Sequence, residues 1–434
     1  MSVLITRAEA WPVQEDAAEA VRGGRLLLGG VSTVLIAAPL AFGATSREAA
    51  LVLAAASWCL FLGWLLSNVL GGRLPVNTHP MFLPAVLLLG YTAVHWTAGL
   101  SPVPVSTEIE WLRWLGYIAL AIAAAGCVET PENLRIFCAV LAVAGFLVAG
   151  MGIAQYLTAE GRLYWVWTLE SGGRMFGPYV NRNHFAGLME LWCPLALGMA
   201  LLPQHHLAQR WFWAVLALVM GGAVVLSGSR GGVLSLVAAV VAFALLIAAQ
   251  RAGKRAVVWL LAAMLFTGSA VLALERGELL QRYEAVLRPH LYQQEDAAAY
   301  RFAAWKDTVT LIRQTPVLGS GLDSFSTRFP AVRSFSTDLI WTQAHNDFLQ
   351  FVAETGLIGA VLALWLLGAG ARETIRNLAR TSGTATGALL AAMAAGCIGF
   401  MVHGWLDFNF HIPANASSFA VLAAIVSVKG WDEV

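Results

Sequence analysis

Ionisable side chains interrupt an otherwise apolar stretch of this sequence, AHNDFLQFVAETGLIG (344–359). Asn346, Gln350 and Glu354 recur at every fourth position, which predicts one polar stripe along a helix. His345 precedes that helix, and a histidine can act as a base near neutral pH. A carboxylate inside a membrane is costly unless it is paired or hydrated, so we expect Glu354 to have a cationic partner.

Polar side chains gather in three further stretches, each beside an apolar segment. They are Arg182, Asn183 and His184 in VNRNHFAG, Arg230 in SGSRGG, and Asp407, Asn409 and His411 in LDFNFHIPAN. The glycines and serines around Arg230 suit a tight turn, and a guanidinium binds phosphate through two parallel hydrogen bonds. An arginine at a helix end can also anchor a membrane helix at the interface. The pattern leaves Arg230 as either a phosphate ligand or an interfacial anchor.

Composition indicates that these clusters are surrounded by a lipid bilayer. Hydrophobic residues make up 58% of the 434-residue chain and charged residues 12%, and the mean hydropathy is +0.68. Soluble domains carry about 25% charged residues. A formal net charge of +1 argues against a nucleic-acid partner. The five cysteines all lie in apolar stretches, which indicates core packing rather than a disulfide framework.

Twelve segments are long and apolar enough to cross a bilayer core, for which about twenty residues are needed. They are 25–43, 48–70, 80–98, 111–128, 134–157, 184–202, 211–227, 231–249, 255–274, 345–370, 384–405 and 413–429. The first is expected to be an uncleaved anchor, because eleven further spans follow it. The sequence therefore predicts an all-α, polytopic membrane protein.

The distribution of lysine and arginine predicts the orientation of these spans. With the N-terminus inside, short inner segments carry thirteen basic residues and outer ones six, which places both termini in the cytoplasm. The predicted divisions are a cytoplasmic N-terminus (1–24), spans one to nine (25–274), a helical outer loop (275–344), and spans ten to twelve with a short cytoplasmic tail (345–434). The polar clusters then all lie on the outer face.

The long loop contains a helical pattern that carries its own cations. Apolar residues recur at helical spacing in AAAYRFAAWKDTVTLIRQTP, and Pro316 ends the run. Arg301 and Lys306 lie on this helix, where cations ordinarily form a solvated face. Together with Arg230 and His345 they would form a cluster of basic side chains over the outer end of the bundle. A lipid diphosphate requires such a cluster to bind its negative charge.

These stretches together resemble the O-antigen ligase and polymerase superfamily. Nine residues separate His345 and Asn346 from Gly356, and two more separate Gly356 from Gly359, a spacing similar to the superfamily signature. The likeness covers most of residues 175–415. It implies a GT-C-class glycosyltransferase of the bacterial inner membrane with a periplasmic active site. It also implies a glycan donor linked to undecaprenyl diphosphate, and neither a metal nor another cofactor.

The resemblance also implies roles for individual residues. Arg230, Arg301 and His345 correspond to essential residues of the family, with Arg288 and Arg313 as competitors for the place of Arg301. The residues predicted to bind substrate are Arg182, Asn183, His184, Lys306, Asn346, Glu354, Asp407 and His411.

The residue content fits this chemistry independently of the resemblance. The chain has no Asp-x-Asp pair for a metal-bound nucleotide sugar and no nucleotide-binding glycine loop after a strand. A polyprenyl diphosphate is a good leaving group, so arginines that stabilise charge on its phosphates would replace a metal. His345 would deprotonate or orient a sugar hydroxyl that attacks the anomeric carbon with inversion. Glu354 or Asp407 would hold the tautomer of His345.

Four functions are compatible with these features. We favour a ligase that joins the O-polysaccharide to the lipid A core oligosaccharide. A polymerase that extends the glycan on the same carrier shares the donor, the fold and the motifs, and a protein O-glycosylating relative is a minor possibility. A transporter would need broken helices and charges near the membrane midplane, whereas these polar groups cluster at one mouth of the bundle.

Overall fold

Long apolar runs fold as helices throughout the part of the chain that the computed structural model describes, which is residues 13–72, 79–168, 175–250, 297–336, 341–428 and 430–431. The helices are α1 (Val13–Leu40), α2 (Arg47–Leu70), α3 (Phe82–Thr97), α4 (Pro104–Cys127), α5 (Pro131–Thr158), α6 (Arg182–Ala200), α7 (Leu207–Ser227), α8 (Arg230–Ala249), α9 (Ala297–Gln314), α10 (Phe325–Arg328), α11 (Asp347–Arg380), α12 (Ala385–Gly404) and α13 (Pro413–Ser427). Short 3₁₀ turns occur at Phe42–Ala44, Phe329–Ala331 and Asn409–His411. The described residues form no β-strand, which confirms the all-α prediction.

The predicted membrane spans coincide with helices wherever the structure describes them. Among the described residues, seven helices are long and apolar enough to cross a membrane, namely α2, α4, α5, α7, α8, α11 and α12. Three shorter apolar helices accompany them, at Gly24–Leu40, Phe82–Thr97 and Pro413–Ser427. The span predicted at 255–274 lies outside the described residues. The multi-pass architecture is therefore confirmed, while the count of twelve, the domain boundaries and the orientation stay predictions.

Capping side chains fix where the helices around the polar clusters begin. Asn181 caps α6, Ser229 caps α8 and Asn346 caps α11, and each side-chain oxygen accepts a hydrogen bond from a backbone N–H of the first turn. Such caps satisfy amides that have no partner within the helix. The polar residues predicted around these positions therefore lie at helix starts, next to side chains that cap the helices.

Helix α6 lies at the centre of the bundle. Its residues are buried without interruption from His184 to Ala200, and it packs against α5, α7, α8 and α12. A helix buried on all sides loses contact with lipid and has its position set by its neighbours. The start of α6, the start of α8 and the end of α12 consequently meet at one end of the bundle.

A break in α11 joins this membrane helix to the loop that follows α9. Gly356 has φ 62° and ψ −166°, so the helical hydrogen bonds are interrupted there. The loop supplies replacements: Ser320 N donates to Glu354 O at 3.0 Å, and Leu357 N donates to Pro316 O at 2.9 Å. A Cβ on Gly356 would lie 2.4 Å from Val317 O, so the missing side chain allows another backbone to approach closely.

Gly359, the second glycine of the same motif, is required for a different reason. A Cβ on Gly359 would lie 2.3 Å from the Thr355 side chain of the same helix. Gly359 therefore makes room for a side chain of its own helix. The Thr355 hydroxyl bonds back to Phe351 O at 2.7 Å, and this rotamer occupies the space above Gly359.

Gly319 lies in the loop that packs against the break in α11, and we expect Gly319→Ala to destabilise the protein. Its φ is +77°, and a Cβ there would lie 2.4 Å from Glu354 O. Gly161 provides a matched control, because it has the same φ of +77° with no atom within 4 Å of the added Cβ. Gly319→Ala should cost about 1–3 kcal/mol more than Gly161→Ala, the usual range for overpacking. Thermal unfolding in detergent measures the difference, and equal losses in the two variants would contradict the close contact.

Helix α9 and the segment after it pack on α11 through a small apolar core of their own. It consists of Ala304, Leu311, Phe325, Phe329, Ala344 and Ala353. The helix predicted in the long loop, ending before Pro316, is confirmed by α9 (Ala297–Gln314). This core fixes α9 relative to the first turns of α11. The backbone hydrogen bonds between the loop and the break in α11 do the same.

Candidate active site

Asp407 is the side chain on which the polar clusters converge. It lies in the connection between α12 and α13 and is buried. Its Oδ1 lies 3.1 Å from His345 Nδ1, and its Oδ2 accepts a hydrogen bond from Arg301 at 3.2 Å. Asn183 Nδ2 also donates to Oδ2. One carboxylate therefore joins residues from α6, α9 and the turn before α11.

The surrounding cations keep Asp407 ionised. Burial alone would raise the pKa of this carboxyl group, but the charge of Arg301 and the charge and hydrogen bond of His345 oppose it. With a further contribution from His184, they hold the pKa of Asp407 well below its usual range. A permanent negative charge at this position can hold both a guanidinium and an imidazole in fixed orientations.

The His345 ring is fixed at one nitrogen and accessible at the other. Since Nδ1 faces Asp407, Nε2 remains for a substrate, and the side chain is 24% exposed. The edges of Trp341 and Phe408 contact the ring, with centroids 5.2 Å and 4.9 Å away. Trp305 Nε1 donates to the His345 carbonyl at 3.2 Å. A histidine oriented by a carboxylate in this way is arranged as a general base.

Arg301 contacts the same centre from α9. Its guanidinium donates to Leu406 O at 3.0 Å and to Asp407 Oδ2, and the side chain remains 29% exposed. Arg313, its competitor in the sequence, is exposed in the last turn of α9, away from Asp407, and Arg288 lies outside the described residues. Lys306 is also exposed and does not belong to the set of side chains joined to Asp407.

Arg230 lies at the start of α8, beside a short relay to Asp407. Ser229 Oγ donates to Asn183 Oδ1 at 2.8 Å, and Asn183 in turn donates to Asp407. The glycines after Arg230 serve packing, since a Cβ on Gly232 would lie 2.4 Å from Ala186 Cβ. Arg230 is partly exposed at this mouth, and Arg182 is partly exposed at the start of α6. Both arginines therefore begin helices at the end of the bundle that holds the His345–Asp407 pair.

The remaining predicted substrate ligands are held mainly by the protein itself. His184 is buried, and its ring contacts Phe408 with a centroid distance of 4.8 Å. Asn346 is the cap of α11, with Oδ1 accepting from Leu349 N at 3.0 Å. These two residues shape the walls around Asp407 and His345 from beneath.

Glu354 meets one of the two expectations about it, a cation nearby, but it does not contact His345. Its carboxylate accepts hydrogen bonds from Asp323 N at 3.1 Å and Phe325 N at 3.2 Å, two backbone amides of the segment that follows α9. The expected cation lies next to it, since the charge of His411 acts on this carboxylate and Gln350 Nε2 contacts both Glu354 Oε1 and His411 Nε2. Asp407, and not Glu354, contacts His345 and can hold its tautomer.

His411 belongs to a second histidine–carboxylate pair, with Nδ1 2.8 Å from Asp347 Oδ1. Burial lowers its pKa, but the hydrogen bond and charge of Asp347 and the charges of Glu354 and Glu110 outweigh that effect and raise the pKa to about 9. His411 is therefore a cation at neutral pH. Its charge is already balanced by Asp347, which places it next to the site as a structural ion pair.

Sequence reasoning missed several residues that organise this end of the bundle. They are Asp347, Trp305, and the fully buried pair of Glu190 and His403, whose Oε1 and Nδ1 lie 2.8 Å apart. An acidic residue inside the apolar run of α6 was a visible signal for the buried pair. No group of three or more His, Cys, Asp or Glu side chains that could hold a metal occurs among the described residues.

Comparison with known families matches residues 215–364 to the family described as O-antigen ligase. The matched segment contains Arg230, Arg301 and His345, whereas Arg182, Asn183 and Asp407 lie outside it. None of the curated proteins matches the chain. The match supports the superfamily resemblance over the segment that holds SGSRGG and the His345 motif, and the structure joins this segment to its flanks at Asp407.

Proposed function

Since residues 215–364 match the family described as O-antigen ligase, we propose that the chain is an O-antigen ligase. It would transfer a glycan from undecaprenyl diphosphate to the lipid A core oligosaccharide, on the periplasmic face of a bacterial inner membrane. The observation that carries this proposal is the convergence of His345 and Arg301 on Asp407, beside Arg230. It combines a base with guanidinium groups for a diphosphate in one site.

The proposed reaction is a single displacement at the anomeric carbon of the donor. His345 Nε2 takes the proton of an acceptor hydroxyl while that oxygen forms the new glycosidic bond, with inversion. The bond between the anomeric carbon and the diphosphate oxygen breaks, and the electron pair leaves with the diphosphate. Arg230 and Arg301 stabilise the negative charge that develops there. Asp407 stabilises the imidazolium that forms on His345.

An apolar cavity beside the site supports a lipid-linked substrate. It has a volume of about 290 Å³ and is lined by apolar side chains of α3, α4, α11, α12 and α13. Asp347 and His411 lie in the wall of this cavity. Asp347 is two residues after His345 in the sequence, so the cavity adjoins the proposed base. A hydrocarbon chain could thus lie within the bundle while its head group reaches the base.

A transporter would use the broken helix of α11 differently. Transporters bind substrates at the free backbone groups of discontinuous helices. Here the groups freed at Gly356 are bonded to the loop at Pro316, Val317, Ser320 and Gly321. The break therefore anchors the loop, and this favours an enzyme.

The alternative function is an O-antigen or exopolysaccharide polymerase with the same donor. Purified protein supplied with a lipid-linked glycan and rough lipopolysaccharide distinguishes the two, in the presence and absence of EDTA. Transfer to the lipid A core that persists in EDTA is the expected result. Ladders of longer glycan on the carrier would show polymerase activity instead, and loss of transfer in EDTA with restoration by magnesium would contradict the proposed charge stabilisation by arginine.

Substitution of Arg230 separates a diphosphate ligand from a membrane anchor. Arg230→Lys keeps the charge and the ability to anchor a helix end, but it loses the planar pair of donors. A lost charge-assisted bond costs about 1.5–3 kcal/mol, so transfer should fall about ten- to a hundredfold in both Arg230→Lys and Arg230→Ala. Initial rates at matched protein levels measure this, with Arg313→Ala as the control expected to stay near wild type. Lysine activity close to wild type would leave Arg230 as an anchor.

A further inference from the structure

The backbone at His345 adopts a conformation that an ordinary side chain disfavours. Its φ is 52°, in the left-handed region where non-glycine residues store strain. Such a conformation persists only where neighbouring contacts over-determine it. On its C-terminal side, the Asn346 cap and the bond from Trp305 to the His345 carbonyl hold the turn.

A single side chain holds the N-terminal side of the same turn. Gln350 Oε1 accepts a hydrogen bond from Ala344 N at 2.8 Å, and both Gln350 and Ala344 are completely buried. We propose that Gln350 is a positioning residue for His345: it clamps the left-handed turn so that the imidazole stays aligned with Asp407. The proposal rests on the proposed function, because it takes His345 as the catalytic base.

The Gln350 side chain is itself held in place. Its Nε2 lies 2.5 Å from Gln343 Oε1, 3.2 Å from Glu354 Oε1 and 3.1 Å from His411 Nε2. Two of these neighbours, Gln343 Oε1 and Glu354 Oε1, are acceptors for the amide nitrogen, and its donation to them leaves the amide oxygen directed at Ala344 N. Glu354 also accepts hydrogen bonds from backbone amides of the segment that follows α9. Gln350 therefore connects the His345 turn to the region of the break in α11.

Removal of the clamp should affect the chemical step and spare donor binding. Without the bond to Gln350, the strained turn can relax to negative φ, which moves the imidazole away from Asp407. A displacement of about 1 Å from reacting geometry can lower a rate about a hundredfold. The guanidinium groups proposed to hold the diphosphate lie on α8 and α9, so KM for the donor should be preserved.

The test uses two variants of one position and a matched control. Gln350→Met keeps the side-chain length and removes the acceptor, whereas Gln350→Glu retains an acceptor for Ala344 N. Beside Glu354, the new carboxyl can share a proton and keep the contact between the two side chains. Asn377→Leu is the control, because Asn377 is another buried amide of α11 and donates to Val426 O and Val428 O.

The expected result is a split between kinetic constants that stability alone does not produce. Gln350→Met should lower kcat by about tenfold or more, with the donor KM within about twofold of wild type. Gln350→Glu should recover most of that loss. Asn377→Leu should lower the unfolding temperature at least as much and leave kcat within about twofold. Hydrogen exchange of a peptide covering Ala344 should quicken in Gln350→Met, since its amide loses its acceptor.

Two outcomes would overturn the proposal, and a parallel variant separates it from the proposed function. Wild-type kcat in Gln350→Met would do so, as would equal kcat losses in Gln350→Met and Asn377→Leu. Transfer by His345→Ala at the wild-type rate would remove the base from the mechanism and the clamp with it. An inactive His345→Ala beside a fully active Gln350→Met would refute the clamp alone.

Discussion

Replacement of His345 by alanine should remove glycan transfer while leaving the fold intact. General base catalysis contributes about a hundred- to ten-thousandfold to a rate, and the substitution deletes the imidazole that Asp407 orients to accept the hydroxyl proton. The side chain is partly exposed, and Arg301 and Asn183 still donate to Asp407 in its absence, so unfolding temperature and membrane insertion should stay near wild type. The measurement is the initial rate of transfer to the lipid A core at matched protein levels.

The control for this variant is His206→Ala. His206 caps the start of α7, at the opposite end of the bundle from Asp407, and it is exposed. That variant should lose some stability through the missing cap but keep its transfer rate. If His345→Ala turned over at a rate near wild type, His345 would be a structural residue of the site rather than its base.

Asp407→Asn should produce the second large effect. The amide carries no charge and keeps one acceptor oxygen, so its NH2 group faces either His345 Nδ1 or the donors of Arg301 and Asn183 where an acceptor is needed. In a Ser-His-Asp triad the corresponding change lowers kcat by about ten-thousandfold through the wrong histidine tautomer. We expect a loss of about a thousandfold or more in transfer rate for Asp407→Asn.

The lowered pKa of Asp407 also determines how pH affects this variant. A carboxyl group whose folded-state pKa is depressed stabilises the protein above its unfolded pKa, and that contribution disappears as pH falls through the folded value. Wild type should therefore be more stable than Asp407→Asn at pH 7 and keep that advantage at about pH 4. Thermal unfolding of both proteins at the two pH values measures it. An advantage that vanished between pH 7 and pH 5 would contradict an ionised Asp407 with a depressed pKa.

Local sequence was sufficient for the helices because the solvent dictates them. A bilayer core leaves unbonded backbone groups without water, so each apolar run of about twenty residues must fold as a helix. The same argument placed the polar stretches at helix ends, where Asn181, Ser229 and Asn346 now cap α6, α8 and α11. Helical spacing likewise predicted α9 in the long loop, with Pro316 after its end.

The sequence also supplied the chemical types of the site, but it could not rank them. Asp407 and Glu354 were equal candidates to orient His345, because both are acids within apolar sequence. The structure separates them: Asp407 contacts the imidazole, whereas Glu354 accepts backbone amides of a loop about thirty residues away in sequence. Spacing within a helix carries no information about a loop that folds back onto it.

Tertiary structure alone decided which charges meet. Asp407 is 62 residues from His345, 106 from Arg301 and 224 from Asn183 along the chain, and no periodic pattern links such positions. Their meeting depends on how α6, α8, α9 and α12 pack against one another, which is fixed by contacts such as Gly232 against Ala186. Periodicity in a sequence records which face of a helix is buried, whereas the partner of that face is chosen by the shape and close packing of whole helices.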